Sequence, residues 1–262
     1  MRGLFKKAEA TGIACAIRCA ALSERGLVRE NNEDSHLEIV ERGIFCVADG
    51  MGGGDCGELA SAWICKEIYN ALRPQYGDDS IYERMTLCEI ALERANSRIN
   101  AYARENDFRQ MGSTAAIMVF DPDNFRRAAV CHVGDSRIYR LRGDRLKQLT
   151  RDHTVCEELN RLGGVRQGAQ IQVCDRAHPL SHILTRAVGT TAVPRTEWRK
   201  VDVKVGDRYL ICSDGVHDML ADREIRSLLS AGSDVGSVAE SIRSAVIAAG
   251  AEDNFTIVCL QT

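Results

Sequence analysis

No stretch of the 262 residues is rich enough in proline, serine or glycine to read as a linker, so nothing divides the length into two folding units. The net charge is -3, without a long basic or acidic block, which leaves no electrostatic footprint for nucleic acid or for an anionic membrane surface. Neither partner is expected. The apolar segment Ile13 to Leu22 is interrupted by Arg18 and too short to span a bilayer, so it reads as a strand. Among eleven cysteines, an odd number, there is no Cys-x-x-Cys pair, and that spacing speaks against zinc and thiol redox use. Cys46, Cys131, Cys212 and Cys259 sit in apolar runs, where a thiol packs as a small hydrophobe, and a reducing cytoplasm is the expected setting.

What is present is enough apolar sequence, 45%, to bury a full core. The expected organisation is an N-terminal arm over residues 1–10 and a single domain over 11–262. Apolar, β-rich runs occur at Ile44 to Ala48, Ala115 to Phe120, Ala128 to Val133, Ile138 to Leu141, Tyr209 to Cys212 and Phe255 to Leu260. Val201, Val203 and Val205 alternate with polar residues, as in a half-buried strand. Helices come in pairs. Ala60, Ile64, Ile68 and Leu72 mark one; Ile81, Met85, Cys88, Leu92, Ala95, Ile99 and Tyr102 mark the next, with Ser80 and Glu83 as its capping box. Near the C-terminus Asp222 can cap one helix, and Ser237 with Glu240 marks another that runs to Ala249. Runs of strands interrupted by helix pairs predict an α+β fold of antiparallel sheets with helices outside, not a Rossmann-type alternation.

Asp49-Gly50, Asp214-Gly215 and Asp253-Asn254 stand at the ends of apolar strands. Taken singly, an Asp-Gly pair is a turn signal. Together they matter more, because neighbouring antiparallel strands share an edge and three carboxylates there suit Mg²⁺ or Mn²⁺, which prefer oxygen ligands. In Arg29-Glu30-Asn31-Asn32-Glu33-Asp34 a guanidinium, whose planar fork matches two phosphate oxygens, precedes two adjacent carboxylates. Alone, that stretch reads as a solvated loop with local ion pairs.

These stretches, with Asp49-Gly50-Met51-Gly52-Gly53, Gly112-Ser113-Thr114, Val133-Gly134-Asp135-Ser136-Arg137, Leu184 to Gly189, Ser213-Asp214-Gly215 and Asp253-Asn254, resemble in order the motifs of bacterial type 2C (PPM) protein phosphatases. The likeness runs from about Ile13 to the end. It implies a central antiparallel β-sandwich flanked by pairs of helices, in αββα layers, and a metal-dependent serine/threonine phosphatase opposing a cognate kinase and acting as a monomer. It also implies two tight Mn²⁺ or Mg²⁺ ions and a third, weaker one. Asp49 would bridge two ions, the Gly50 carbonyl would reach one, and Asp214 and Asp253 would complete the first ion's site. Glu33 and Asp34 would act through waters, Arg29 would hold the substrate phosphate, and Asp135 with Asp214 would bind the third ion. Asn254 would support Asp253 by hydrogen bonding. Residues 152–184, with a helix through Val155, Leu159 and Leu162, resemble the flap that such enzymes place beside the metals.

Two departures stand out. Gly54 follows the Gly52-Gly53 pair where relatives carry His, and Met51 stands where animal enzymes carry a histidine that protonates the leaving group. His36, two residues after Asp34, and His153, at the start of the flap, are the histidines best placed to influence catalysis. Cysteine-based phosphatase chemistry is not expected, since it needs a thiolate in a Cys-x5-Arg loop. The rivals are a catalytically weak relative that acts as a phosphoprotein-binding signalling module, and a metal-dependent nuclease. Retention of Arg29, Asp49, Asp214 and Asp253 speaks against the first, and the near-neutral charge against the second.

Overall fold

The computed structural model describes residues 17–52, 55–73, 80–108, 110–167, 170–174 and 178–262. The proposed arm, residues 1–10, lies outside them. In chain order the strands β1 (Arg18–Glu24), β2 (Asp34–Ile39) and β3 (Ile44–Met51) precede two long helices, α1 (Asp55–Leu72) and α2 (Ile81–Glu105). Five strands follow: β4 (Gly112–Ser113), β5 (Ala115–Phe120), β6 (Arg127–Val133), β7 (Arg137–Arg142) and β8 (Arg145–Gln148). Helix α3 (Val155–Arg161) leads into the hairpin β9 (Val165–Gln167) and β10 (Gln170–Gln172). The chain then forms β11 (Glu197–Asp202), β12 (Arg208–Cys212), α4 (Asp214–His217), α5 (Asp222–Ala231), α6 (Val235–Ala248) and β13 (Phe255–Gln261).

The long strands form two antiparallel sheets, one ordered β1-β13-β12-β7-β8 and the other β11-β6-β5-β3-β2. Side-chain alternation explains the layering. In β3, Phe45 and Val47 face the opposite sheet and, together with Met118 and Phe120 of neighbouring β5, meet Tyr209 and Ile211 of β12 and Val258 of β13. Ile44, Cys46 and Ala48 face the other way, onto Ile64, Ile68, Leu92 and Ile99 of α1 and α2. On the far side, Leu210, Ile257 and Cys259 pack against Ile225, Leu229, Ile242 and Val246 of α5 and α6. Strands covered on both faces read as continuous apolar runs rather than as alternation. The result is the expected αββα sandwich. Each fully buried Ile, Leu or Phe contributes about 1.5–3 kcal/mol, so the three apolar layers hold the rim that carries the polar residues.

The Ser80–Glu83 capping box opens α2 as the spacing predicts. Elsewhere boundaries differ for physical reasons. Residues 13–16 of the expected run Ile13 to Leu22 lie outside the described residues; within them the first strand is Arg18–Glu24, carried past Leu22 because Leu22 pairs with Ile257 and Glu24 with Phe255. β11 ends at Asp202; Val203 is buried beyond it, whereas Val205 is 83% exposed next to the Gly206-Asp207 turn. Helix α6 begins earlier than Ser237, because the Asp234 carboxylate accepts the N–H groups of Gly236 and Ser237. At α5, Asp222 is the first helical residue rather than the cap; the Glu224 carboxylate instead accepts the Ala221 N–H. Leu162 follows α3 and is 77% exposed.

Candidate active site

One cleft of about 720 Å³ is lined by Arg29, Glu33, Asp49, Gly50, Met51, Asp135, Asp214, Asp253 and Asn254. Strand pairing brings these distant residues together. β2 and β3 pair so that Asp34 stands opposite Asp49, and the Gly50 N–H donates to the Glu33 carbonyl at 3.1 Å. Asp49 does not close its strand, as its place in the sequence suggests. Gly50 and Met51 continue it, paired with Ser113 and Gly112 of β4. β12 and β13 are neighbours, which puts Asp214, just after β12, near Asp253, just before β13.

Close backbone approach explains the glycines. A Cβ at Gly50 would lie 2.1 Å from the Gly57 carbonyl oxygen and 2.6 Å from that of Glu33. At Gly215 it would lie 2.1 Å from the Asn254 carbonyl oxygen, and at Gly57 it would strike Glu33 Oε2. Thr114 Oγ1 accepts the Asp49 N–H at 3.0 Å, and the Thr114 N–H donates to the Asp49 carbonyl at 2.8 Å. Ser213 Oγ donates to Asp34 Oδ2 at 2.7 Å while accepting the Thr256 N–H. Asn254 hydrogen-bonds Asp253 through its backbone, while its side chain does something else. Its N–H donates to Asp253 Oδ1 at 2.7 Å, but its side chain accepts the Glu33 N–H and donates to the carbonyls of Arg25 and Asn31, clamping the loop that carries Glu33.

The electrostatics are those of crowded carboxylates. Burial, then the charges of Asp214, Asp34 and Asp135, push Asp49 well above the ordinary carboxylate range. Burial followed by Asp214 does the same to Asp135, and burial raises Asp214 and Glu33. Asp34 lies just beneath the cleft, 8% exposed, and burial pushes it up to about 7. Its Oδ1 is buried without a hydrogen-bond partner. Like charges held this close, with an orphaned carboxylate oxygen, are what cations relieve, and an all-oxygen donor set suits Mn²⁺ or Mg²⁺. Arg29, 55% exposed, reaches Asp253 Oδ2 at 2.6 Å and stands at the cleft mouth.

The histidines divide. His36 pairs with Glu38 at 3.1 Å and does not line the cleft. His153 is buried, stacked on His132 at 4.5 Å, and accepts the Gly134 N–H on Nδ1; burial and the neighbouring His132 and Arg186 pull it down to about 4. It holds the Asp135 turn as a neutral ring. Cysteine chemistry is closed by burial rather than by spacing, for Cys19–Arg25, Cys88–Arg94 and Cys131–Arg137 do stand at Cys-x5-Arg intervals. Burial pushes the Cys88 thiol up to about 12 and raises Cys19 and Cys131 as well, the reverse of an activated nucleophile.

Residues 152–184 leave the sandwich and return beside their point of departure. Thr154 bridges Leu184, and the N–H groups of Val155 and Thr185 donate to the carbonyls of Ile183 and His153. Asn96 on α2 was not singled out by the sequence reading, yet it holds the next loop: Oδ1 accepts the Gly189 N–H at 2.7 Å and Nδ2 donates to Thr191 and Ala192. Among the described residues no helix is long and apolar enough to cross a membrane.

A double-sheet sandwich with helices outside and a carboxylate-lined cleft on its rim defines a class, the metal-dependent phosphatases. A family profile described as Protein phosphatase 2C matches residues 28–242, and the chain belongs to that family. It is 33% identical over 251 residues to the serine/threonine protein phosphatase PstP of Mycobacterium tuberculosis, covering 94% of this chain but 45% of PstP. It thus spans about half the length of that relative. It is 30% identical over 245 residues to the serine/threonine phosphatase Stp of Listeria innocua, covering 91% of this chain and 93% of Stp. Among solved structures, PppA, a key regulatory component of T6SS in Pseudomonas aeruginosa, superposes with a TM-score of 0.82 at 31% identity, over 94% of this chain and 97% of PppA. The catalytic domain of PstP in complex with two manganese ions superposes with a TM-score of 0.77 at 32% identity, over 94% and 97%.

Proposed function

We propose that this chain hydrolyses phosphoserine and phosphothreonine on proteins, opposing a serine/threonine kinase. The observation that carries the reading is the convergence of Glu33, Asp34, Asp49, Asp135, Asp214 and Asp253, five of them raised above their ordinary range, around one cleft with an arginine at its mouth. Asp49, the Gly50 carbonyl, Asp214 and Asp253 would hold two divalent cations, with Glu33 and Asp34 acting through waters and Asp135 with Asp214 serving a third ion. The ions supply charge neutralisation for the phosphoryl oxygens and lower the pKa of water, as in other two-metal phosphatases.

The chain's own residues do the positioning. Among the described residues Arg29 pairs with Asp253, and its half-exposed side chain can turn its fork onto a phosphate. Thr114 fixes the backbone of Asp49, Ser213 fixes Asp34, and Asn254 fixes the Glu33 loop. Met51 offers no proton at the rim, so protonation of the leaving alkoxide falls to another group of the cleft or to water. The 152–184 flap, which contributes His182 to Leu184 to the cleft wall, would contact the phosphoprotein. The chain would act as a monomer in the cytoplasm, a reducing setting that suits free buried thiols such as Cys46 and Cys212.

Two manganese ions in the PstP catalytic domain, 32% identical to this chain, support the metal assignment. The test is turnover of a phosphothreonine peptide against that of a DNA phosphodiester. The reading requires peptide hydrolysis that Asp49→Ala and Asp214→Ala both abolish; wild-type turnover in either variant at saturating Mn²⁺ would refute it. A binding-only module would retain phosphopeptide and release no phosphate.

A further inference from the structure

Outside the carboxylate cleft, the fold brings Cys156 of α3 together with Cys174 and His178, which follow the β9–β10 hairpin. Two sulfurs and one ring nitrogen lie within 4.8 Å of one another. Both cysteines are buried and His178 is half-buried. The sequence reading set zinc aside because no Cys-x-x-Cys pair occurs; here the ligands come from positions 18 and 4 residues apart, joined by the fold.

Neighbouring contacts hold this arrangement. Asn160, one turn along α3 from Cys156, accepts the Cys174 N–H on Oδ1 and donates to the Cys174 carbonyl through Nδ2, each at 2.8 Å. That two-way bond fixes the Cys174 backbone against the helix, as outer contacts orient metal ligands elsewhere. A second group with ligand spacing, His132, His153 and Glu197, is a poorer candidate. Arg186 already places its guanidinium 3.2 Å from His153 Nε2 and 3.0 Å from Glu197 Oε1, where a cation would sit.

We propose that Cys156, Cys174 and His178 form a second, thiolate-rich cation site for an ion of the Zn²⁺ class, which pins the segment after β10 to α3. The soft donor set selects against Mn²⁺ and Mg²⁺, so the site and the oxygen-lined cleft take different metals. Tetrahedral bonds of about 2.3 Å to sulfur place two sulfurs about 3.8 Å apart, within reach of side-chain rotation from the observed spacing. The fourth position opens on a cavity of about 290 Å³, large enough for a water ligand and lined also by Asp135 and Asp218. The pin therefore sets the flap against the wall it shares with the cleft. Binding is not a redox step: two thiols lose their protons, two sulfur–metal bonds form, and two protons go to solvent. His178 Nδ1 accepts the Leu180 N–H at 3.2 Å. Coordination through Nε2 moves the ring proton to Nδ1 and gives up that one neutral hydrogen bond, a small loss beside two thiolate bonds.

The test is a Co²⁺ titration of the reduced, chelator-stripped full chain, followed at the sulfur-to-cobalt charge-transfer absorption. One equivalent of thiolate-bound cobalt is expected, displaced by one equivalent of Zn²⁺, and the wild-type chain should release about two protons more than a Cys156→Ser/Cys174→Ser double variant, since cobalt in the carboxylate cleft releases protons in both. Cys156→Ser and Cys174→Ser should lose the band, with folding checked by circular dichroism, and His178→Ala should weaken binding about tenfold or more. Asp214→Asn should keep the band, so failure here is distinct from failure of the phosphatase reading. Absence of the band in the reduced wild-type chain, or its full retention in both serine variants, would overturn the site. Recovery of a Cys156–Cys174 disulfide with no cobalt binding after reduction would do so as well.

Discussion

Replacing Asp34 by Asn should stabilise the metal-free protein and disable the metal-loaded one. Asp34 is 8% exposed, and its carboxyl is pushed from 3.8 up to about 7, first by burial. A folded pKa raised above the unfolded one means that the folded state holds its proton longer, so stability falls as pH rises from about 4 through 7. At 1.36 kcal/mol per pKa unit, the penalty for carrying this group is about 1.7 kcal/mol at pH 5 and about 4 kcal/mol at pH 8. Asn carries no such penalty. Its own cost as a buried amide is common to both pH values, so the change between them isolates the charge: about 2–3 kcal/mol in favour of the variant. For a domain of this size that is a melting shift of about 4–10 °C. The assay is thermal unfolding in a chelator at pH 5 and pH 8, wild type against Asp34→Asn, repeated with Mn²⁺. With Mn²⁺ the advantage should shrink or reverse, because the carboxylate then has a counter-charge. An equal difference between the two proteins at both pH values would refute the reasoning, since the carboxylate would not be paying for burial.

Arg29→Ala should lower kcat/KM for a phosphopeptide by about 1.5–3 kcal/mol, the usual loss for a charge-assisted hydrogen bond, with melting unchanged; unaltered kinetics would make Arg29 only a partner of Asp253. Gly57→Ala should keep the fold, since alanine favours a helix, while displacing the Glu33 carboxylate that its Cβ meets at 2.1 Å and slowing turnover about tenfold to a hundredfold. Full activity in that variant would release Glu33 from the site. Asp135→Ala should leave the two tighter ions bound by calorimetry while turnover falls and its dependence on millimolar Mn²⁺ disappears; a parallel loss of stability and activity with unchanged metal dependence would make Asp135 a turn residue.

The strands of the sandwich were legible because they are buried on both faces, so Ala115 to Phe120 stands in the sequence as it does in the fold. Edge strands were not. β1 and β11 take their limits from pairing partners more than one hundred residues, or more than sixty, away, as Leu22 opposite Ile257 and Trp198 opposite Cys131 show. The acidic residues of the cleft were legible as chemistry, and the sandwich accounts for their convergence. Their supports were not: Asn96, Thr114 and Ser213 are ordinary polar residues whose roles depend on partners across the fold, such as Gly189, Asp49 and Asp34. The Cys156–Cys174–His178 group escaped for the same reason, since spacing along a chain reports ligand sets only when one short loop carries them.

The most direct test of the account is phosphate release from a phosphothreonine peptide by the chelator-stripped chain as Mn²⁺ is added back. No release is expected before Mn²⁺, a rise to saturation with it, and none at any Mn²⁺ concentration from Asp214→Ala. Release at an undiminished rate in excess chelator would contradict it.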